Sequence, residues 1–247
     1  MLGRPNVPVL HGLASQLFER ALPAILETTE PRSWAFAILG IHEYLQRFGG
    51  DRMANQVYNQ LAERLLKLYQ SHCTPDWRWF EDKLTYCNAD LSHAMLLSGQ
   101  WLSNPEMKEA GLDSLNWLAG IQRDDSKNGH FVPIGSSGWY PRGGERARFD
   151  QQPVEVQSTV SACLEAYRIT GDPVWRKEAN RAFEWFLGRN DLNIPLYDAL
   201  SGGCRDGLHS DRPNENQGAE STLAFLQALL ELRLAETPLQ PVGVLVA

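Results

Sequence analysis

Apolar residues recur at three- and four-residue spacing through most of the 247-residue chain. That period admits little besides helix. It predicts eight helices, running roughly from Gly12 to Glu27, Ser33 to Arg47, Arg52 to Ser71, Leu84 to Leu102, Pro105 to Ile121, Pro153 to Thr170, Pro173 to Gly188 and Asn216 to Ala235. No stretch alternates polar and apolar residues between hairpin turns, so strands should be few. An all-α fold is expected.

The helices are of two kinds. The second, fourth, sixth and eighth are apolar nearly all round, as in Trp34-Ala35-Phe36-Ala37-Ile38-Leu39. Such helices should be surrounded by protein. The others are one-sided: Val57, Leu61, Leu65 and Leu68 make a stripe in the third, opposite Gln60, Glu63, Arg64 and Lys67. Inner and outer helices thus alternate, as in an (α/α) toroid of helical hairpins. Inner-to-outer links are tight: Gly49-Gly50-Asp51, Ser103-Asn104-Pro105 and Gly171-Asp172-Pro173. Each combines a helix stop with a helix start. Three outer-to-inner links are long, His72 to Lys83, Gln122 to Gln152 and Arg189 to Glu215, and alternation puts them on one rim. Long loops in a compact domain usually carry function. One domain is expected over residues 1–235, with 236–247 as a flexible tail.

Composition excludes several classes of function. Net charge is −7, which gives no basic face for nucleic acid. No run reaches the roughly 18 apolar residues of a membrane span. Cys73, Cys87, Cys163 and Cys204 lack C-x-x-C spacing, and with no signal peptide this reads as free thiols in the cytoplasm. Cys87, His93, Cys204 and His209 have no informative ligand spacing, so neither metal nor cofactor is expected.

The three loops hold the candidate chemistry. The first has Glu81 and Asp82 among Trp77, Trp79 and Phe80. Apolar neighbours and a second carboxylate both raise a carboxyl pKa, as a general acid near neutral pH requires. Alternatively, Asp82 caps the next helix. The second has Trp139 and Tyr140 for stacking on a sugar, then Arg142, then Asp150-Gln151-Gln152 ahead of Glu155. A helix cap would account for Asp150; it does not account for Glu155, one turn into a buried helix. The third crowds Arg205, His209, Arg212, Glu215 and Asn216 onto a helix bearing Glu220. A structural Arg–Glu network is the competing reading.

Three stretches carry a resemblance: Trp79-Phe80-Glu81-Asp82-Lys83-Leu84-Thr85-Tyr86, Phe149-Asp150-Gln151-Gln152-Pro153-Val154-Glu155 and Asn214-Glu215-Asn216-Gln217-Gly218-Ala219-Glu220-Ser221-Thr222. Together they resemble a bacterial family often labelled group 1 glycosyltransferase, whose motifs lie in a helical toroid of the six-hairpin glycosidase type. The likeness runs from about Leu13 to Leu234. It implies four hairpins of six and therefore an incomplete ring, without the acidic Asp-Asn-Ala-Arg segment of the family. Cys87 and Asp90 stand where the family tends to carry Asp and Arg. Nothing in the chain encodes the α/β domain that a nucleotide-sugar transferase needs.

The expectation is therefore a carbohydrate-active toroid that cleaves a glycan or oligosaccharide with paired carboxylates. The acid would come from Glu81, Asp82 or Glu155 and the base from Glu220, Asp150 or Glu215. Trp79, Trp139 and Tyr140 would stack on sugars. Arg142, Arg212, His209, Gln151, Gln152 and Asn216 would orient hydroxyls. The alternatives are a glycan-binding module serving a separate glycosyltransferase, and a helical scaffold for protein partners.

Overall fold

The computed structural model describes residues 8–125 and 129–236. Its helices are α1 (Pro8–Ile25), α2 (Pro31–Leu45), α3 (Arg52–His72), α4 (Asn88–Trp101), α5 (Pro105–Ile121), α6 (Pro153–Thr170), α7 (Pro173–Phe183) and α8 (Ala219–Glu236). Two-residue strands β1 (Lys83–Leu84), β2 (Tyr140–Pro141), β3 (Gly207–Leu208) and β4 (Pro213–Asn214) pair antiparallel, β1 with β2 and β3 with β4. The fold is all-α. The expected tail lies outside the described residues, apart from Glu236, which ends α8.

Local chemistry starts the outer helices where the tight links predict. Asp51 accepts from the Ala54 N–H at 3.0 Å, Asn104 from Glu106 at 3.0 Å, and Asp172 from Val174 at 2.9 Å. Each satisfies a backbone donor that the helix itself leaves open. The inner helices α2, α4 and α6 begin without any such side-chain bond.

Three starts and stops differ from expectation. Leu84 does not open α4; it pairs with Tyr140, and Cys87 at φ 47° holds a left-handed turn that delays the helix to Asn88. Helix α8 begins at Ala219, because Asp206 takes the Gly218 N–H at 2.7 Å while the Asn216 carbonyl accepts from Asp206 N at 2.8 Å. Helix α7 ends at Phe183, where bonding tightens to three-residue spacing, as in Trp185 N to Ala182 O at 3.1 Å. That tightening turns Trp185 and Phe186 fully into the core.

Among the described residues α2 packs on α4, α4 on α6 and α6 on α8, while α3, α5 and α7 lie outside. One continuous core runs from Leu22 to Ala228. Interior α4 is buried nearly all round from Asn88 to Gly99. The end members are not, which corrects the reading of α2 and α8 as fully surrounded. Phe36 on α2 is 45% exposed, and Leu223 and Leu234 on α8 are 55% and 57% exposed. No comparable packing joins α8 back to α2, so each lacks the neighbour that would cover its second side.

Two details fix this frame. The buried Arg181 guanidinium donates to the carbonyls of Gln122 at 2.8 Å and Ala119 at 3.1 Å, closing the C-terminal end of α5. Helices α4 and α5 approach so closely that a Cβ on Gly99 would lie 2.5 Å from the Lys108 backbone nitrogen. Backbone cannot yield as a side chain can, so Gly99→Ala should cost roughly 1–3 kcal/mol. Urea denaturation checks this; an unchanged midpoint would mean that the two helices separate freely.

Candidate functional site

The three long loops meet, because backbone pairing stitches them edge to edge. β1 and β2 join the first to the second, reinforced by Arg142 N donating to Asp82 O at 2.8 Å. Gln151 and Leu208 exchange backbone bonds of 3.0 and 2.9 Å and join the second to the third. The amide side chain of Gln151 strengthens this seam: it donates to Asp191 at 2.7 Å and accepts from Trp185 Nε1 at 2.7 Å.

Beneath the loops lies a buried polar network at the N-terminal ends of α2, α4 and α6. Arg32 donates to Glu81 Oε2 at 2.6 Å, to the Tyr86 carbonyl at 2.5 Å and to Asn88 Oδ1 at 3.1 Å. Asn88 in turn donates to Glu155 Oε2 at 2.9 Å and closes its own turn through Thr85. Glu155 is 1% exposed, and its Oε1 has no partner. Burial pushes its carboxyl up to about 7. The Asn88 bond, the charge of Arg32 and the backbone N–H groups of Cys87 and Asn88 restrain the rise. The Glu155 carboxylate thus lies at the N-terminal end of α4, where the helix dipole favours negative charge.

Two further groups share this ground. Burial, then the charge of Glu155, then that of Glu231 push Asp90 up to about 7. Burial also pushes the Cys87 thiol up, with Glu155, Asp90 and Glu220 adding repulsion, so Cys87 is no thiolate nucleophile. Above the network Tyr86 is 46% exposed, with Arg32 over its ring at 5.4 Å and Trp139 at 6.4 Å. Cys87, Trp139 and Asp150 all hold φ near +50 to +60° without being glycine, a strain that clusters at functional sites.

The sequence candidates sort unevenly around this centre. Glu81 and Glu155 join one network, while Glu220 is exposed at the start of α8 and reaches Cys87 only through its charge. Trp79 must be corrected: it is fully buried beside Phe80 and Trp117 and cannot stack on a ligand. Gln151 is also buried, and its amide bonds serve the seam between loops. Tyr140 leans edge-on against Trp77, half-buried. Asp82 is exposed and caps nothing, since α4 starts six residues later; it meets Arg142 at 3.2 Å. Arg142 also ties down the His72 carbonyl and Thr74. Asp150 is no cap either: it pairs with His209 at 2.6 Å, and Gln152 is the residue that precedes α6. Glu215 is exposed and pairs with Arg205 at 2.9 Å, Arg212 pairs with Asp211, and Asn216 donates to Asp206.

Arg32, Asn88 and Tyr86 belong to this candidate site and were missed by the loop-by-loop reading. Arg32 lay just ahead of the helix that the sequence places from Ser33, so no local signal marked it; the structure starts α2 at Pro31 and puts it in the first turn.

Among the described residues one group, Asp124, His130 and Asp191, has donor atoms close enough for a metal. Arg148 already places its guanidinium there, 2.6 Å from Asp124 and 2.5 Å from Asp191. That cation supplies the charge a metal would bring. No helix among the described residues is long and apolar enough to cross a membrane. No family model matches the chain, and no curated protein matches it.

Proposed function

We propose that the loop rim binds a glycan and that the fold is an open (α/α) toroid of the glycosidase type, as the motif resemblance implies. The observation that carries this reading is the Arg32–Glu81–Asn88–Glu155 network lying beside the exposed ring of Tyr86 and the half-buried ring of Trp139. Aromatic faces suit the apolar faces of sugars, and fixed polar groups suit their hydroxyls. In this reading Glu155, held near neutral pKa, protonates a glycosidic oxygen, and Glu220 is the carboxylate that activates water.

One observation favours a second reading, binding without turnover. Glu155 Oε1 is closed off from the surface, and Oε2 is engaged by Asn88. Glu155 would then position Asn88 and the Tyr86 turn, and the domain would present glycan to a separate glycosyltransferase. The four free cysteines fit a reducing, cytoplasmic setting for either role.

Reducing-end release and calorimetry on a glycan panel test both. Tyr86→Ala should weaken binding about tenfold, near 1.4 kcal/mol. Glu155→Gln should lower turnover on the order of 10²–10⁴-fold while binding holds. Binding without released ends selects the second reading. A panel that yields no binder overturns both.

A further inference from the structure

The concave side of the α2–α4–α6–α8 row holds a cavity of about 730 Å³, separate from the loop rim. That volume is of the size that accepts a small organic ligand, roughly 300–1,000 Å³. Its floor is Asp90, which is 7% exposed and makes no hydrogen bond through its carboxylate. A buried carboxylate without a partner is costly, and the cost falls when a cation arrives. Glu231 from α8 and Glu43 from α2 line the same space; no Lys or Arg among the described residues lines it, and Arg168, in the adjoining cavity, offsets part of the Glu231 charge while pairing with Glu165 at 2.8 Å. Of the neutral polar groups nearby, Gln157 donates to Ser161 at 2.9 Å, while the buried Nδ1 of His93 has no partner and is free to accept from an ammonium group.

The remaining walls are apolar. Phe36 and Leu39 stand on one side, and Leu230 and Leu234 on the other. The three carboxylates come from three different helices and do not form a group with metal-ligand spacing. A compact divalent ion would therefore find no coordination shell. An anion would meet three acids, and a sugar would face hydrocarbon on two sides.

We infer that this groove binds a small amphiphilic organic cation, with its ammonium group against Asp90 and Glu231 and its hydrocarbon body between Phe36 and Leu230. The inference does not depend on the glycan reading, although Asp90 lies two residues from Asn88 of that network.

Calorimetry with hexylamine, hexan-1-ol and hexanoate tests it on the whole chain. Hexylamine should bind at least tenfold more tightly than hexanol, hexanoate should not bind, and hexylamine should raise the melting temperature. Asp90→Asn and Glu231→Gln should each weaken hexylamine at least tenfold, and Phe36→Ala a few-fold. Asp90→Asn removes a buried charge and should keep the fold, which circular dichroism verifies; Glu231→Gln, on the more open wall, provides the same test should Asp90→Asn unfold. Equal binding of alcohol and amine, or hexylamine binding indifferent to both acid variants, would overturn the inference. So would a Lys-rich helical peptide that binds more tightly than hexylamine with the same variant dependence, since the groove would then belong to a protein partner.

Discussion

Arg32→Met should destabilise the chain by about 3 kcal/mol, the low end of the roughly 3–5 kcal/mol for removing one partner of a buried ion pair. The guanidinium is 9% exposed and fills three acceptors at once, Glu81, the Tyr86 carbonyl and Asn88. Methionine fills most of the volume, so little of the loss is cavity. What remains is the desolvation of acceptors left without a donor. Glu81 keeps 26% exposure and recovers some water, which is why the low end applies. The loss should grow with pH. Arg32 opposes the rise in the carboxyl pKa of both Glu155 and Asp90. Without it both shift further up, and ionising them in the native state costs more. Arg32→Lys should lie between, because an ammonium restores the charge without the planar fork. Urea denaturation at pH 6 and pH 8.5 measures this. A loss below about 0.5 kcal/mol at both would mean that the network is solvated and supports nothing.

The same residue shows where the sequence was informative. Period and capping residues made the helices and tight links legible, because those signals are local: Asp51, Asn104 and Asp172 bond donors two or three residues away. The convergence of the loops was legible from alternation alone. Partnership across the chain was not. Arg32 meets Asn88 across 56 positions and Asn88 meets Glu155 across 67, and no local pattern encodes either pairing. Trp79 went wrong for a related reason. A tryptophan among polar loop residues reads as exposed, yet the first loop folds inward onto the helices, and Trp79 joins the main core beside Phe80 and Trp117 of α5. The burial of Glu155 was legible because a carboxylate one turn into a buried helix is anomalous wherever its partner stands.

That anomaly sets the second large effect, a pH dependence of stability carried by Glu155 and Asp90. Both carboxyls are raised to about 7 from ordinary values of 4.5 and 3.8. Between the ordinary and the raised value the native state binds protons that the unfolded chain has released. Stability therefore falls as pH rises through that window. For Glu155 the shift corresponds to roughly 3 kcal/mol. The two shifts do not add, because the charge of Glu155 is itself one cause of the rise at Asp90. Other groups run the opposite way. Burial lowers His42, so its contribution is lost as pH falls below about 6.5. The backbone bond from Ala54 lowers Asp51, whose contribution is lost only in stronger acid. The wild-type curve is the sum of these and is not diagnostic by itself. The difference between wild type and Glu155→Gln/Asp90→Asn is, because the histidines and Asp51 are common to both chains. Relative to wild type, the double variant should gain on the order of 3 kcal/mol between pH 5 and pH 8, and should be the more stable protein at pH 8. Guanidinium unfolding at half-unit pH intervals gives that difference directly. A flat difference would mean that water reaches both carboxyls, and the raised Glu155 carboxyl on which the proposed acid chemistry rests would not exist.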